Sequence, residues 1–276
     1  MSLSPPSFEK TPSVQAPKAL SRASSLVVPA LFSAVERLDP SLHEPVRHHL
    51  AGGGKHVRAG LVLLAAGAVG GREEDAVPGA VAVELVHNYS LLHDDIIDGD
   101  RERRHRPTVW AQFGESVAIV AGDALAALAM QVLLEEPTPE RVEAARRLAS
   151  ANQQMISGQS ADMAFEARNR VTLEECLAME RGKTGALLSA ACAVGAVLGG
   201  ADGGTADALG QYGDHLGIAF QAVDDMLGVW GDPAVTGKPV GADLLARKKA
   251  LPVAVALERG GVAAVELSAI LSHTPD

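Results

Sequence analysis

The stretch Ser90–Thr108, SLLHDDIIDGDRERRHRPT, is the most informative part of this chain. It begins as the end of an apolar helix, places three carboxylates within five residues at Asp94, Asp95 and Asp98, and then becomes rich in arginine. On a helix, Asp94 and Asp98 lie one turn apart on the same face. Their oxygens repel one another unless cations lie between them, and Mg²⁺ prefers hard oxygen ligands that it shares with substrate phosphates. The pattern therefore predicts a magnesium site.

Basic residues surround this acidic stretch. Arg103 and Arg104 follow the carboxylates and supply donors for phosphate oxygens, so that metal and phosphate ligands together suggest a diphosphate substrate. Upstream, GGGKHVR places Gly52–Gly54 beside Lys55 and Arg58, where a backbone can approach an anion closely while two cations face it. The alternative interpretation of GGGKHVR is a helix boundary with solvated charges.

Two further positions on predicted helices indicate a site. His87 precedes Asp94 by seven residues, which puts it two helical turns, or about 10 Å, away on nearly the same face. Such a histidine is commonly a core residue bonded to a neighbour, but this face leads to the acidic stretch and we favour a functional role. Lys183 and Thr184 lie between apolar turns, where a buried ammonium requires an anionic partner.

A second acidic pair repeats the arrangement of the first. Asp224 and Asp225 follow Gln221 by three and four residues, so the amide and the carboxylates share a helix face. The segment after this helix supplies Lys238 and Lys248 among glycines and prolines. Either pair alone could be a solvated helix cap. Two pairs, each followed by cations, indicate that the pairs face one another.

The composition limits the class of protein. Apolar residues make up 47% of the 276 residues and aromatics only 3%, which favours packed helices. The formal charge of −10 argues against general affinity for nucleic acid. Cys176 and Cys192, if they lie on one helix, are about 24 Å apart, too far for a disulfide. With neither a signal pattern nor an uninterrupted apolar run of membrane-spanning length, we expect a cytoplasmic protein without a membrane span.

The domain organisation is predicted from a change in composition near the start of the chain. Residues 1–22 are rich in Ser and Pro without an apolar period and are predicted to be a disordered tail. The alternative is a tag recognised by a protein partner. Residues 23–276 are predicted to form one domain.

These motifs together resemble those of the trans-polyprenyl diphosphate synthases, the isoprenoid chain-elongating prenyltransferases. The family's order of motifs is present between about Leu26 and Leu257: GGKxxR, DDxxD, RRxxPT, GQxxD, GKT, FQxxDD and GKPxGxDL. The resemblance implies an all-α isoprenoid synthase fold of roughly ten helices around a deep apolar cavity, usually as a homodimer. It implies that isopentenyl diphosphate is condensed with an allylic diphosphate with the help of about three Mg²⁺ ions.

The resemblance also assigns roles to residues. The metal ligands it implies are Asp94, Asp95, Asp98, Asp224 and Asp225. Residues expected at the allylic diphosphate are Arg103, Lys183, Thr184, Gln221, Lys238 and Lys248. Those expected at the diphosphate of isopentenyl diphosphate are Lys55, Arg58, His87 and Arg104. The expected catalytic set is Asp94, Asp95, Asp98, Arg103, Lys183, Asp224 and Lys238.

The chain departs from the family pattern at three places. Gly228 stands where a third Asp of the second motif is common, with Asp232 one turn further on. His105 stands where Gly is usual in the arginine motif. The sequence stops at Asp276, whereas relatives continue through further helices, so the domain is expected to be short at its C-terminal end.

The expected product is geranylgeranyl diphosphate, a C20 chain. Tyr89 lies five residues before Asp94, and Asp95 and Asp98 have no inserted residue between them, which resembles C20 synthases more than C15 ones. Tyr89 is therefore expected to line the substrate site as a floor for the growing chain. The alternatives are a C15 farnesyl diphosphate synthase, a type I terpene cyclase of the same fold, and a cargo or regulatory subunit docked to a partner.

Overall fold

The structure, a computed structural model, describes residues 18–168, 170–232, 240–245 and 248–272. Within these ranges the chain is helical apart from one short hairpin, which confirms the all-α prediction. The elements of the first part are α1 (Lys18–Val35), α2 (Pro40–Leu50), α3 (Val57–Ala68), α4 (Glu73–Ile97), β1 (Glu102–Arg103), β2 (Arg106–Pro107), α5 (Val109–Phe113) and α6 (Glu115–Leu134). Those of the second part are α7 (Pro139–Glu166), α8 (Leu173–Glu180), a π-helical turn (Arg181–Gly185), α9 (Ala186–Leu198), α10 (Gly203–Trp230), α11 (Ala242–Leu245), α12 (Leu251–Arg259) and α13 (Val262–Ser272).

The chain divides into two compact units. The larger unit comprises residues 16–152 and 187–213. The smaller unit comprises the described residues of 153–186 and 214–272. Both α7 and α10 are shared, since each helix begins in the larger unit and ends in the smaller one.

Helix α4 is the centre of the larger unit. Its apolar residues, including Leu85 and Leu92, are almost completely buried, and α6 contributes Leu125 and Leu128 to the same core. Burial accounts for the apolar residues of α4 and for one face of α6, whereas Ile119 and Val120 of α6 are exposed. The first acidic stretch is therefore attached to a helix that is anchored in the core of the unit.

The smaller unit has its own apolar cluster. Phe165 at the end of α7 packs with Cys176 and Met179 of α8 and with Ala254 of α12. Helix α8 begins at a capping box, in which Thr172 and Glu175 exchange side-chain and backbone hydrogen bonds. The second helix end that bears acidic residues, in α10, belongs to this unit.

The predicted N-terminal tail is partly helical. Residues 1–17 lie outside the described residues, but α1 already begins at Lys18, so the boundary predicted at residue 22 was too late. Leu20 lies against the backbone of Gly60, and Arg22 forms an ion pair with Glu73. These tertiary contacts hold the first turns of α1 despite their weak apolar pattern.

One described helix, α6, is long and apolar enough to cross a membrane by length and composition alone. Of its most apolar window, 44% is buried inside the protein. A core helix of a folded domain has the same properties, and α6 contributes several side chains to the core of the larger unit. Both cysteines are free and buried, in agreement with the prediction that they form no disulfide.

Candidate active site

The first acidic stretch ends α4 and leads directly into a hairpin. Asp98 is the C-terminal cap of the helix, and its N–H donates to the carbonyl of Asp94. Strands β1 and β2 pair antiparallel through a two-residue turn formed by Arg104 and His105. Both turn residues have positive φ, 53° and 60°, as a type I′ turn requires. The hairpin folds the arginines back beside the carboxylates.

The closing residues of the RRxxPT motif anchor the hairpin. The N–H of Thr108 donates to the carbonyl of Arg101 at 3.0 Å. The Thr108 hydroxyl and the Trp110 indole N–H both donate to the carbonyl of Asp100, at 2.9 and 2.7 Å. Three hydrogen bonds across a few residues fix the position of the turn relative to the end of α4.

Asp95 is the buried member of the first acidic pair. Its side chain is 1% exposed, and Arg103 Nε donates to its Oδ1 at 2.7 Å. The other oxygen, Oδ2, is buried without a hydrogen-bond partner among the described residues. Burial raises the pKa of Asp95, and the Arg103 guanidinium opposes that rise. Asp94 is partly buried and Asp98 exposed, so the three carboxylates range from the interior to solvent.

The larger unit also brings together the cations predicted to bind an anion. Arg58 Nη1 lies 3.3 Å from Nε2 of His87, and the backbone of Gly54, next to Lys55, approaches the Arg104 guanidinium. Burial, followed by the charges of Arg58 and Arg104, lowers the pKa of His87 well below its usual value. The imidazole is therefore neutral near pH 7. Arg58 Nε is buried and has no partner within the described ranges, which suits an anionic ligand.

Glu84 was not predicted as a site residue, although it organises this cluster. It is 4% exposed, and its Oε1 accepts from the N–H of Ala59 in the first turn of α3. Its Oε2 lies 3.1 Å from Nδ1 of His56, the left-handed residue that precedes α3. The charge of Glu84 also opposes the lowering of the Arg58 pKa by burial. A carboxylate within the apolar run of α4 was the signal in the sequence.

A small pocket of about 20 Å³ lies beside the hairpin. Its lining includes His48, His49, Asp95, Arg103, Arg104 and Arg106. Burial, then the charge of Arg103, lowers the pKa of His49 to about 4, while a hydrogen bond with Asn88 opposes the change. With three arginines and one carboxylate at its wall, the pocket favours an anion.

Tyr89 is held from two sides. Its side chain is 7% exposed, its hydroxyl donates to Asn152 Oδ1, and its ring meets the ring of His93 edge-on at 5.7 Å. Burial, and to a lesser extent the charge of Asp94, raises the pKa of Tyr89 to about 12. The phenol is therefore a fixed, neutral group on the helix that carries the first acidic motif.

In the smaller unit, the GKT motif forms the π-helical turn. Lys183 Nζ forms an ion pair with Asp162 of the GQxxD motif, so the predicted anionic partner of this lysine is present. The turn lies very close to α7, because a Cβ at Gly158 would be only 2.3 Å from the backbone N of Lys183. Gly182 makes the reciprocal approach to the backbone of α7. Only glycine fits at Gly158.

Hydrogen bonds connect the second acidic pair to the GKT motif. Thr184 Oγ1 donates to Gln221 Oε1 at 2.7 Å, and Gln221 Nε2 donates to Asp225 Oδ1 at 2.8 Å. Asp225 is 6% exposed, and its Oδ2 accepts from the N–H of Leu251 at 2.8 Å. Asp224 is exposed on the adjacent position of α10. The amide of Gln221 and the carboxylate of Asp225 therefore lie on the same face of α10.

Two further polar residues of the smaller unit were missed by the sequence analysis. Glu180 is 2% exposed, and its Oε2 is buried without a hydrogen-bond partner among the described residues. Burial, followed by the nearby carboxyl group of Asp225, raises the pKa of Glu180 to about 8. Cys176 Sγ lies 3.4 Å from both Glu180 Oε1 and the carbonyl oxygen of Lys249, and its single S–H donates to one of them at a time. Burial raises the pKa of the Cys176 thiol. Nothing in the pattern of α8 distinguished these residues from ordinary helix positions.

The remaining predicted residues divide into three cases. Lys238 lies outside the described residues. Lys248 is exposed, whereas the neighbouring Lys249 is buried, at 9% exposure. Gly228 is partly buried within α10, and Asp232 is exposed just beyond the end of that helix.

The donor set fits magnesium, although it does not form a complete cage. Within the described ranges, no three histidine, cysteine or acidic side chains converge on a metal position. Mg²⁺ keeps several waters and is usually bound through one or two carboxylates plus substrate phosphates. The unpartnered oxygen of Asp95, with Asp94 and Asp98 on the same helix end, provides suitable hard ligands.

The sequence pattern of the polyprenyl synthetase family matches residues 39–276. The chain is 48% identical to the (2E,6E)-farnesyl diphosphate synthase of Mycobacterium tuberculosis over 263 residues, or 91% of this chain and 73% of that protein. It is 46% identical to the geranylgeranyl diphosphate synthase of the same organism, over 91% of this chain and 75% of that protein. The crystal structure of a polyprenyl synthetase from Streptomyces coelicolor A3(2) superposes with a TM-score of 0.90 at 52% identity, over 94% of this chain and 80% of that one. The chain therefore belongs to the polyprenyl synthetase family and is a short-chain prenyltransferase.

Proposed function

We propose that this enzyme condenses isopentenyl diphosphate with an allylic diphosphate to make geranylgeranyl diphosphate. One observation carries the proposal: the larger unit has an anion-binding set at Arg58, His87 and Arg104 in addition to its acidic motif. A neutral histidine beside a buried arginine suits hydrogen bonding to a diphosphate that is not the leaving group. A terpene cyclase, which ionises a single diphosphate, has no use for such a set.

The acidic motifs fit magnesium, on which members of this family typically depend. We propose Asp94, Asp95 and Asp98 in the larger unit and Asp224 in the smaller unit as ligands of about three ions. Asp225 stays a predicted ligand, with both of its oxygens already accepting hydrogen bonds. When bound, the metal neutralises charge that develops on a leaving diphosphate.

The chain's own cations share that task. We propose that Arg103, Lys183, Lys238 and Lys248, with Thr184 and Gln221, hold the allylic diphosphate while its C–O bond breaks. The allylic carbocation that forms is attacked by the alkene of isopentenyl diphosphate, which Lys55, Arg58, His87 and Arg104 hold. Loss of a proton to the departing diphosphate then restores the double bond. Cations arranged in advance stabilise the leaving group without reorganisation in the transition state.

Product length is the finer part of the proposal. Tyr89 lies five residues before Asp94, which is about 7.5 Å along α4. Its hydroxyl bond to Asn152 and its contact with His93 support a rigid floor at that depth. The similarity to a farnesyl diphosphate synthase favours C15 as the alternative, and product analysis separates the two.

The test of the reaction is an assay with each allylic diphosphate and Mg²⁺, with and without isopentenyl diphosphate. We expect a longer diphosphate only when both substrates are present. The Arg58→Gln variant should raise KM for isopentenyl diphosphate by about tenfold or more, with a smaller effect on the allylic KM, because a charge-assisted hydrogen bond is lost. Release of hydrocarbon without isopentenyl diphosphate would instead identify a cyclase.

The test of product length is Tyr89→Ala. Removal of the phenol should shift the products beyond C20 while the rate of primer consumption is retained. Asn152 loses its partner in this variant, so Tyr89→Phe serves as the matched control that keeps the ring but not the hydroxyl. An unchanged product distribution in Tyr89→Ala would contradict the role of Tyr89 as the floor.

We also propose a homodimer in the cytoplasm, as the family resemblance implies. Ile119 and Val120, which are 42% and 52% exposed on α6, support a protein contact at that helix. Sedimentation of the protein with and without Val120→Asp tests this: a dimer that dissociates supports the contact. A partner for the N-terminal tail stays a prediction, because residues 1–17 lie outside the described residues.

A further inference from the structure

His48 on α2 is a half-buried side chain that has no role in the mechanism proposed so far. It contacts the hairpin that carries Arg103 and Arg104, although 59 residues separate it from Pro107 in the sequence. Its Nε2 lies 2.8 Å from the carbonyl oxygen of Pro107, and its Nδ1 lies 3.3 Å from Nη2 of Arg106. Because Arg106 and Pro107 are the two residues of strand β2, one imidazole contacts the whole strand.

The two contacts determine which ring nitrogen of His48 carries the proton. A carbonyl oxygen only accepts, so Nε2 donates to Pro107, and a guanidinium only donates, so Nδ1 accepts from Arg106. An imidazole with its proton on Nε2 meets both requirements at once. The ring of His48 also meets the ring of Phe113 edge-on, with 5.5 Å between the ring centroids. Two hydrogen bonds and one aromatic contact therefore fix the orientation of this side chain.

The hairpin depends on attachment to other elements, because a two-stranded hairpin is marginally stable by itself. The hydrogen bond from the N–H of Thr108 to the carbonyl of Arg101 closes its base without joining it to another element. The bond from Arg103 to Asp95 attaches strand β1 to α4. The two bonds of His48 attach strand β2 to α2. With both strands attached, the turn between them keeps its place beside the end of α4.

We propose that His48 is a positioning residue for the diphosphate of isopentenyl diphosphate: it holds strand β2 against α2 and thereby keeps Arg104, in the turn, in place for that group. The inference rests on the proposed function, which assigns this substrate to Arg104. Both ring nitrogens of His48 are used on the hairpin, so neither is left for a diphosphate oxygen. His48 therefore acts through the hairpin.

Two substitutions separate the hydrogen bonds of His48 from its packing. His48→Phe keeps an aromatic ring against Phe113 but removes both hydrogen bonds. His48→Gln supplies an N–H for the carbonyl of Pro107 and an oxygen for the guanidinium of Arg106, so it should retain much of the attachment.

The matched control is His43 on the same helix. Its Nε2 lies 3.0 Å from the carbonyl oxygen of Leu38, in the connection between α1 and α2. His43→Phe and His43→Gln therefore change the same kind of hydrogen bond, made to a different segment of the chain. Both control variants should behave like wild type in every measurement on the hairpin.

The first readout needs neither substrate nor metal. Tryptic cleavage after Arg103 and Arg104 in the native protein, with the fragments identified by mass spectrometry, measures how often the hairpin opens. We expect cleavage about tenfold faster in His48→Phe, because the loss of both hydrogen bonds weakens the attachment of β2. Cleavage of His48→Gln should lie within about threefold of wild type, and that of the His43 variants within about twofold.

The second readout is steady-state kinetics, which distinguishes positioning from general support of the fold. His48→Phe should raise KM for isopentenyl diphosphate by about fivefold or more. KM for the allylic diphosphate and kcat should change by less than about twofold, because Arg103 keeps its bond to Asp95. His48→Gln should restore most of the affinity for isopentenyl diphosphate. A side chain that only supported the fold would lower the amount of active enzyme and leave both KM values unchanged.

Three results would overturn the proposal. The first is equal cleavage of the hairpin in His48→Phe and wild type. The second is faster cleavage with an unchanged KM for isopentenyl diphosphate. The third is a His48→Gln variant as impaired as His48→Phe, because the hydrogen bonds would then not be the cause.

Should His48→Phe fail to fold, nitrogen NMR of the wild-type protein decides. In mildly alkaline solution the His48 ring, assigned by comparison with His48→Gln, should show a protonated Nε2 and an unprotonated Nδ1. The opposite tautomer overturns the proposal, because it cannot donate to Pro107 while accepting from Arg106. A wild type that makes no prenyl product contradicts the proposed function, whereas the cleavage and NMR results, obtained without substrates, still test the attachment by His48.

Discussion

In both acidic pairs the second carboxylate is buried, but the two units hold it with different partners. In the larger unit Asp95 is bonded to the charged guanidinium of Arg103, eight residues further along the chain. In the smaller unit Asp225 is bonded to the neutral amide of Gln221 and to a backbone N–H 26 residues away. The first cluster is a local assembly of opposite charges, whereas the second is a network of neutral donors assembled from distant segments. In each pair the first carboxylate, Asp94 or Asp224, is the more accessible one.

The largest effect is expected where the two clusters are alike. Asp94→Asn and Asp224→Asn each remove a proposed metal ligand without altering a core side chain, so kcat should fall by about 10²–10³-fold in each variant. Steady-state kinetics with saturating Mg²⁺ measures the loss, and thermal unfolding should stay close to that of wild type. Asp75→Asn, at an exposed position in the first turn of α4, is the control. If kcat falls less than tenfold in one of the two variants, the corresponding acidic cluster does not take part in catalysis.

The second prediction concerns the smaller unit, where the backbone of the π-helical turn packs directly against Gly158 of α7. Gly158→Ala places a methyl group 2.3 Å from the backbone N of Lys183, a contact that flexible side chains cannot relieve. Overpacking of this kind should lower the free energy of unfolding by about 1–3 kcal/mol. The matched control is Gly67→Ala on α3, where the new methyl group meets open space and should stabilise the helix by about 0.5–1 kcal/mol. Urea denaturation measures both, and equal stability of the two variants would contradict the close approach.

The third prediction concerns the pH dependence of the free energy of unfolding, to which His49 contributes beside the arginines of the larger unit. The pKa of His49 is lowered from 6.5 to about 4 by burial and by Arg103. Between these values the unfolded chain binds a proton that the folded chain excludes, so this group makes the free energy of unfolding fall as the pH decreases from 6.5 to about 4. His49→Gln removes the titration, and its stability should fall less than that of wild type over this window in urea titrations at stepped pH. Parallel pH profiles for the two proteins would be inconsistent with the shift.

The comparison also explains which parts of the molecule could be predicted from the sequence. The first cluster lies within one stretch, Ser90–Thr108, whose helical period and arginine spacing already place its groups side by side. Glu180 and Glu84 were not foreseen, since a single acidic residue in a helix looks solvated until tertiary packing buries it. The Leu251 N–H, a backbone donor, leaves no side-chain signal at all. The predicted end of the N-terminal tail was wrong for the same reason. Leu20 and Arg22 are held by contacts with residues distant in the sequence, which the local pattern does not show.

The smallest effect is expected at the turn that makes the first cluster local. His105 has a φ of 60°, and Arg104 has 53°, so the hairpin holds two non-glycine residues in the left-handed region. A left-handed conformation costs an L-residue roughly 1–2 kcal/mol, whereas glycine adopts it freely but loses more backbone entropy on folding.

His105→Gly should therefore raise the free energy of unfolding by no more than about 1 kcal/mol, with kcat unchanged, because the substitution leaves the type I′ turn and Arg103 in place. Thermal unfolding of this variant beside His105→Ala, which keeps the strain, measures the difference. If glycine destabilises the protein relative to alanine, the turn is not strained and the departure of His105 from the family pattern must reflect a contact made by the imidazole. His105 would then be a further side chain that holds the first cluster together in the larger unit.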